Sequence, residues 1–210
     1  MKIIKAGHEI ITPVNREEIL QRIEEVARTC YKSEDKITET SAAAFVKTLI
    51  KSGHEAMIEH CGISVKFICD RGVSHEIVRH RIASYAQEST RYCNYSKDKF
   101  GNEITVIRPC FWSETEEPYE VWLNAMLQAE KSYFALINSG ARAEQVRSVL
   151  PNSLKTEIVM TANFREWRHF FKLRTAKDAH PQMREIAVPL LNELKEKLPE
   201  LFEDINAEAF

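Results

Sequence analysis

Residues 61–81 read CGISVKFICDRGVSHEIVRHR, and the pattern of apolar residues changes in the middle of this stretch. Apolar and polar residues alternate over the first ten positions, which predicts a half-buried β-strand. An Arg-Gly pair then interrupts the alternation, and Ser74 is a suitable N-cap for a short helix running through residues 75–81. The centre of the chain is therefore predicted to be a strand that leads directly into a helix.

The segments on both sides of this strand and helix mix the two patterns without regular order. The first dozen residues suggest a strand or a hairpin, Asn15 is a plausible N-cap for the next helix, and Gly53 is a plausible C′ residue at the end of another. Further strand patterns occupy residues 102–109 and 153–163, and further helical patterns occupy residues 118–138, 164–174 and 181–198. Because strands and helices do not alternate as in a parallel βαβ sheet, the sequence favours the α+β class.

The composition is that of an ordinary globular chain. Of its 210 residues, 44% are hydrophobic and 29% are charged, and the formal net charge is −2. These values predict one compact domain over residues 1–210 and exclude a largely disordered chain. The near-neutral charge excludes a basic footprint over the whole surface, so an anion site must be a local cluster. No apolar run approaches the ~18 residues of a membrane span and the start lacks a signal-peptide core, which predicts a cytoplasmic protein.

Cations and hydroxyl groups concentrate in residues 79–95, RHRIASYAQESTRYCNY. On a helix, Arg79 and Arg81 would diverge by roughly 200° and so reach different ligands. If the following segment were extended, Gln87, Ser89 and Arg91 would point to one side, where an arginine with a neighbouring hydroxyl forms a good phosphate receptor. The alternative is a solvated basic helix beside a polar turn, and the residues alone leave both interpretations open.

Two further islands carry candidate polar residues. In GHEAMIEH (53–60), the spacing of His54, Glu59 and His60 does not match the two-histidine i, i+4 pattern of a helical zinc site, so capping, core hydrogen bonding or ligand contact is favoured over a metal. The five cysteines form no CxxC pair, which argues against disulfides and a zinc knuckle. In NFREWRHFFKLR (163–174), the aromatic residues are typical of a helix core, whereas three polar heads need another explanation: Arg165, His169 and Arg174.

These islands together resemble the flavin-dependent thymidylate synthases. The hallmark of that family is Arg-His-Arg, seven residues and then Ser, which here is Arg79-His80-Arg81 followed by Ser89. The resemblance extends from about residue 27 to 190 and includes GHEAMIEH, NFREWRHFFKLR and AHPQMREI in the family's order. It implies an α+β fold of the thymidylate synthase-complementing protein type, with an antiparallel sheet flanked by helices.

The resemblance also implies an activity and its participants. Members of the family make thymidylate (dTMP) from deoxyuridylate (dUMP), with 5,10-methylenetetrahydrofolate as carbon donor and NADPH as reductant through a tightly bound FAD. They assemble as homotetramers whose active sites are shared between subunits. The resemblance implies no metal, nucleic acid or membrane.

The site residues follow from the same resemblance, position by position. The residues expected at the flavin are Ala56, Arg79, His80, Arg81, Gln87, Asn163, Phe164, Arg165 and His169. The residues expected at dUMP are Glu76, Ile77, Val78, Arg79, Gln87, Glu88, Ser89, Thr90, Arg91, Arg147 and Arg174. Arg174 is the expected catalytic residue, because its fixed charge against the uracil would stabilise negative charge developing on the ring. Relatives differ at several of these positions: some have Gln at 76 and Glu at 87, which leaves open which side chain binds the ribose, a hydroxyl residue often replaces Ala56, and asparagine can replace His169.

Other interpretations of the same residues predict different chemistry. Ser89 as a nucleophile lacks a dedicated general base, so we interpret it as a binding hydroxyl, and we expect no catalytic cysteine, including Cys93. Glu144 and Arg147, three apart, suit a surface ion pair. The basic, tyrosine-rich strip could instead grip single-stranded RNA, and His54, Glu59 and His60 could hold the metal of a phosphohydrolase. Gly-rich nucleotide cradles of the Rossmann or P-loop kind are absent from the sequence.

Overall fold

The computed structural model describes residues 1–207, which contain a four-stranded and a two-stranded sheet together with helices. The strands are β1 (Lys2–Ile4), β2 (Gly7–Ile10), β3 (Gly62–Asp70), β4 (Ala83–Gln87), β5 (Thr105–Ile107) and β6 (Lys155–Asn163). The helices are α1 (Arg16–Thr29), α2 (Ser41–Lys51), α3 (Arg71–Ile77), α4 (Glu117–Asn138), α5 (Ala143–Val146), α6 (Phe164–Arg174), α7 (Pro181–Lys197) and α8 (Pro199–Phe202). Short 3₁₀ helices occupy Glu34–Lys36, Glu55–His60, Asp98–Phe100 and Arg147–Val149.

The larger sheet has the strand order β2-β3-β6-β4 and is antiparallel, with helices flanking it. The predicted α+β class is therefore confirmed. In the smaller sheet β1 pairs with β5 in parallel, with Lys2 opposite Thr105 and Ile4 opposite Ile107. The amino-terminal residues thus pair with a strand distant in sequence, and β1 and β2 do not form the hairpin that was one of the two expectations for this segment.

The chain divides into two compact units. The first unit contains Met1–Gly7, Phe67–Arg79 and Ala86–Val159, and the second contains His8–Lys66, His80–Tyr85 and the described residues from Met160 onward. Among residues 1–207, no helix combines the length and the apolar character that crossing a bilayer requires.

Helix α4 supplies much of the core of the first unit. Tyr119, Trp122 and Tyr133 lie on its buried face, at the helical spacing seen in the sequence, and they pack with residues of β5 and its neighbours. The indole N–H of Trp122 donates to the hydroxyl of Ser153 at 3.0 Å, so its polar atom is satisfied. Full burial of each such aromatic side chain stabilises the fold by roughly 1.5–3 kcal/mol.

Helix α6 supplies the core of the second unit. Trp167, Phe170 and Phe171 are fully buried, and Phe170 and Phe171 meet edge to face with ring centroids 5.5 Å apart. The indole N–H of Trp167 donates to the carbonyl of Ile63 at 3.2 Å and joins the helix to β3. The prediction that the aromatic residues of segment 163–174 form core is confirmed, and the opposite side of α6 remains available for polar side chains.

The central helix is shorter than the sequence predicts and begins earlier. Asp70, not Ser74, caps α3, because its Oδ1 accepts from the N–H of Val73 at 2.7 Å. The helix ends at Ile77, so the expected helix through residue 81 is wrong and the 200° divergence of the two arginines does not apply. The expectation of an extended segment holds only to Gln87, where β4 ends. Beyond it the chain turns, and the N–H of Cys93 donates to the carbonyl of Ser89 at 2.9 Å.

Candidate functional site

The Arg-His-Arg segment lies in the connection between α3 and β4, and its central side chain points inward. His80 is only 3% exposed, whereas Arg79 and Arg81 are both exposed. The hydroxyl of Tyr85 donates to the backbone carbonyl of His80 and ties the middle of this connection to β4. A histidine buried between two exposed arginines separates the roles of the three residues, because the imidazole must find partners inside the second unit.

His80 forms the middle of a buried polar chain with two residues of α6. Its Nδ1 lies 3.0 Å from Oε1 of Glu166, which is 7% exposed. Its Nε2 accepts from Nε of Arg174 at 3.1 Å. The rings of His169 and Phe170 complete the surroundings, with centroids 5.6 and 5.0 Å from that of His80.

The surroundings of the Glu166–His80–Arg174 contacts shift the pKa values of His80 and Glu166. Burial, the charge of Arg174 and the neighbouring His169 together lower the pKa of His80 to about 4, so the imidazole is neutral near pH 7. Burial raises the pKa of Glu166 above the ordinary value for a carboxyl, and His169 acts in the opposite direction.

His80, Glu166 and His169 also form a group with metal-ligand chemistry, since their ligand atoms lie within 4.8 Å of one another. Both ring nitrogens of His80 already take part in hydrogen bonds, and the Arg174 guanidinium beside the ring repels a cation. This arrangement disfavours a metal ion. Within residues 1–207, the alternative metal set of His54, Glu59 and His60 does not come together as such a group.

A half-open cavity of about 520 Å³ lies against the amino-terminal part of α6 in the second unit. Its lining is Glu55, Glu59, Ile82, Asn163, Arg165, Glu166, His169 and Lys172. Asn163 caps α6, because its Oδ1 accepts from the N–H of Glu166 at 2.9 Å. Nη1 of Arg165 pairs with Glu59 at 2.5 Å, and Ile82 is 70% exposed beside the cavity. The cavity therefore combines two cationic side chains, each paired with a carboxylate of the lining, with an exposed apolar side chain.

Close backbone packing between Gly62 of β3 and residues 162–163 holds one end of this cavity in place. A Cβ on Gly62 would lie 2.3 Å from the carbonyl oxygen of Ala162 and 2.8 Å from Cα of Asn163, which is a severe clash. The N–H of Phe164 donates to the carbonyl of Cys61 at 3.0 Å. The start of α6 is thus held directly on β3, and Gly62 is the residue that permits the approach.

The remaining residues expected at the flavin differ in what they can offer. Ala56 and Arg81 are exposed. The side chain of Phe164 is fully buried in the aromatic core, so this residue can reach a ligand only through its backbone.

The segment expected at dUMP belongs to the first unit, where its side chains bond to nearby strands. Nε2 of Gln87 donates to Oγ of Ser74 at 2.9 Å and to Oγ1 of Thr156 at 3.2 Å. Glu88 accepts from Nζ of Lys155 at 3.0 Å and from the hydroxyl of Tyr95 at 3.1 Å. Both side chains therefore bond to residues of their own unit, although Gln87 is exposed and Glu88 is half-buried.

The other candidates of the first unit are more open. The N–H of Arg91 donates to Oγ of Ser89 at 3.3 Å, and the Arg91 side chain is 59% exposed. Arg79, Val78 and Arg147 are exposed, Glu76 is half-buried, and Ile77 and Thr90 are buried. The exposed guanidinium groups of these arginines can thus reach an anion, and that of Arg91 also lies 3.7 Å from the Glu144 carboxylate.

Two sequence interpretations change in the first unit. Glu144 pairs with Arg142 at 2.8 Å and with Arg91 at 3.7 Å, and these ion pairs replace the expected pairing with Arg147. Tyr95 is buried in the α4 core, which removes one of the stacking platforms that an RNA-binding strip would need.

Sequence reasoning missed Glu166, Tyr85 as an anchor of His80, and Lys155. The partners His80 and Glu166 are 86 residues apart, so no local spacing indicates their contact. One local signal concerns Glu166: it lies in the first turn of α6, where the positive end of the helix dipole favours a carboxylate.

Comparison with known proteins identifies the family of this chain. A family model described as thymidylate synthase complementing protein matches residues 14–200. The chain belongs to this family. Its similar relatives include a flavin-dependent thymidylate synthase of Geobacter sulfurreducens, 36% identical over 185 residues that cover 85% of this chain and 78% of the relative.

Two further relatives in the family carry the same description, flavin-dependent thymidylate synthase. The protein from Pyrococcus abyssi is 35% identical over 167 residues, 79% of this chain and 68% of the relative. That from Corynebacterium aurimucosum is 33% identical over 202 residues, 88% of this chain and 79% of the relative. The resemblance inferred from Arg79, His80, Arg81 and Ser89 is confirmed.

Proposed function

We propose that this chain converts dUMP to dTMP, taking its carbon from 5,10-methylenetetrahydrofolate and its electrons from NADPH through a tightly bound FAD. The general activity, that of a flavin-dependent thymidylate synthase, follows from membership of the family. The observation that carries the finer proposal is the combination of the Arg-His-Arg…Ser motif with a polar cavity at the start of α6, whose lining includes two cationic and three acidic side chains.

The residues around this cavity suit a flavin nucleotide. Arg165 and Lys172 pair with Glu59 and Glu55 in this structure, and as these pairs open they supply cationic donors to a diphosphate. The exposed Ile82 offers an apolar surface to a ring. Asn163 and His169 line the same cavity, and Ala56, Arg81 and Phe164 belong to the same unit. A bound flavin supplies two-electron redox chemistry and the carrier for the one-carbon group, while the protein binds, orients and adjusts charge.

The nucleotide substrate calls for a different set of groups. The exposed guanidinium groups of Arg79, Arg91 and Arg147 suit the phosphate of dUMP, and Ser89 suits a neutral hydrogen bond. Gln87 and Glu88 remain the candidates for the sugar, together with segment 76–78. Arg174 is proposed at the uracil, where its permanent charge stabilises negative charge developing on the ring.

Assembly and location complete the proposal. We propose that residues 1–210 act as one functional domain within a homotetramer with shared active sites, because the family match runs continuously through both compact units. The enzyme then works in the cytoplasm, without a nucleic-acid or membrane partner.

The proposal is tested by the visible absorption spectrum of the purified protein. We expect a flavin spectrum that bleaches with NADPH and shifts when dUMP is added, and we expect dTMP when methylenetetrahydrofolate is present. Deoxyuridine, which lacks the phosphate, is the matched control and should shift the spectrum far more weakly. A colourless protein that takes up no added FAD contradicts the proposal. In that case, salt-sensitive RNA binding or metal-dependent phosphate release would identify one of the alternative functions.

A further inference from the structure

The buried Glu166–His80–Arg174 chain contains a residue to which neither the motif nor the family match assigns a role. We infer that Glu166 is a positioning residue: it fixes which nitrogen of His80 carries the proton, and through the imidazole it fixes the orientation of the Arg174 guanidinium. The hydrogen-bond geometry is independent of the proposed function, whereas the consequence for the reaction rests on the proposed role of Arg174.

The direction of each hydrogen bond follows from the chemistry of the donors. A guanidinium only donates, so Nε2 of His80, which lies 3.1 Å from Nε of Arg174, must present a lone pair. A neutral imidazole carries its single proton on the other nitrogen, which is Nδ1. This N–H points at the Glu166 carboxylate at 3.0 Å, an acceptor that matches it.

The groups that face His80 favour this one arrangement. Arg174 and His169 come from α6, Tyr85 comes from β4 and donates to the His80 carbonyl, and Glu166 provides the carboxylate. A proton on Nε2 would turn two donors toward each other across the Arg174 contact and leave the carboxylate facing a lone pair. Loss of the Glu166 acceptor therefore frees the imidazole to reverse its tautomer, and the reversed ring can no longer accept from Arg174.

Glu166 acts on Arg174 through the ring because the two residues are too far apart on their own helix. They are eight positions apart, which is about 12 Å along an α-helix axis. The imidazole spans this gap with one hydrogen bond at each end. Arg174 is the last residue of α6, where the backbone alone constrains a long side chain weakly, so the bond to His80 supplies an orientation that the helix does not.

The first test measures the tautomer directly on the full-length, flavin-loaded protein. Solid-state correlation spectra of ¹³C,¹⁵N-histidine-labelled protein report which ring nitrogen is protonated, and the His80 signals are those that His80→Gln removes. We expect Nδ1–H and a bare Nε2 in the wild type, the same pattern in Glu166→Gln, whose amide oxygen can still accept, and a loss of this pattern in Glu166→Leu. A wild-type spectrum with the proton on Nε2 overturns the inference without any variant.

The second test measures catalysis in the same variants. We expect kcat of Glu166→Leu to fall roughly 10- to 100-fold, with the KM for dUMP changed less than threefold, because misorientation of a catalytic group acts on the chemical step. Glu166→Gln should recover most of the lost rate. The control is Glu200→Leu, which removes another buried carboxylate of the same unit, paired with Arg16 at 2.5 Å, and should leave kcat and the His80 tautomer unchanged.

The outcomes separate this inference from the proposed function. The expected tautomers in a wild-type protein that makes no dTMP leave the positioning role intact and contradict the proposed function. An active wild type whose Glu166→Leu variant keeps its kcat, or loses activity only in parallel with Glu200→Leu, contradicts the inference. If Glu166→Leu does not fold, the wild-type and Glu166→Gln spectra still decide the tautomer. Glu166→Asp then replaces it in the kinetic test. A Glu166→Asp variant that has a reversed His80 tautomer but a wild-type kcat contradicts the inferred effect of Glu166 on catalysis.

Discussion

The two candidate regions of this molecule hold their polar groups in opposite ways. In the second unit, His80 and Glu166 are buried and bonded to each other across 86 residues of sequence. In the first unit, the residues after β4 bond mainly within their own segment or to neighbouring strands, and Arg91 stands 59% exposed. Buried, mutually bonded groups are oriented before a ligand arrives, whereas exposed arginine side chains lose conformational entropy when they bind a ligand. The second region is therefore suited to orienting reacting atoms and the first to capturing an anion.

The largest expected effect comes from breaking the backbone approach beneath the second region. Gly62→Ala places a Cβ 2.3 Å from the carbonyl oxygen of Ala162, and relief requires β3 and the start of α6 to move apart. We expect a loss of about 3 kcal/mol in the free energy of unfolding, together with weakened flavin binding. Urea unfolding and flavin fluorescence measure both. Gly7→Ala is the control, since nothing lies within 4 Å of that Cβ, and equal stabilities of the two variants would refute the argument.

The next-largest effect is expected from removal of the Arg174 guanidinium. If Arg174 stabilises negative charge on the uracil ring as proposed, Arg174→Ala should lower kcat about 100-fold while the flavin spectrum remains. Arg174→Lys keeps the charge but not the planar donor set, so it should recover only part of the rate. Single-turnover kinetics with bound flavin give the measurement. Full activity of Arg174→Ala would remove this residue from the reaction.

Features that depend on near neighbours in the sequence could be predicted, whereas features that depend on distant contacts could not. Asn15 as the cap of α1, with its Oδ1 accepting from Glu18 at 3.4 Å, and Gly53 at φ 72° after α2 were correct because caps and C′ positions depend on near neighbours. The end of α3 at Ile77 was not predicted. The contacts that hold His80 come from Tyr85 and from a helix 86 residues away, and helical spacing carries no information about them.

For the candidate site, the sequence identified the islands but not their internal connections. The motif selected Arg79, His80 and Arg81 together, yet the fold buries only the histidine, because only it has matching partners on α6. Glu166 could not be selected by type alone, since the chain has 31 acidic residues and most acidic side chains on helices face water.

A smaller effect is expected from acid. The pKa of His80 is lowered from 6.5 to about 4, so between these values the unfolded chain binds a proton that the folded chain does not. Stability gained from the neutral ring is therefore fully present well above pH 6.5 and is lost as the pH falls, with a total loss of about 2 kcal/mol at pH 5. The raised pKa of Glu166 acts in the opposite sense and reduces this slope. Urea unfolding at several pH values should show a shallower dependence for His80→Gln, and identical slopes would contradict the buried neutral ring.

The smallest expected effect is on the affinity for dUMP and comes from the exposed residues that follow β4 in the first unit. Arg91→Ala removes an exposed guanidinium whose ion pair with Glu144 is 3.7 Å long, so the free energy of unfolding should change by less than about 1 kcal/mol. If Arg91 binds the phosphate, the Kd for dUMP should rise about 10-fold, with kcat at saturating dUMP nearly unchanged and a weaker dependence of binding on salt. The matched control is Arg142→Ala, which removes the other arginine paired with Glu144, at 2.8 Å, and lies outside the proposed dUMP set. Equal losses of affinity in both variants would mean that general positive charge attracts the nucleotide. A loss confined to Arg91→Ala, with its kcat intact, would establish that capture and chemistry are divided between the two regions.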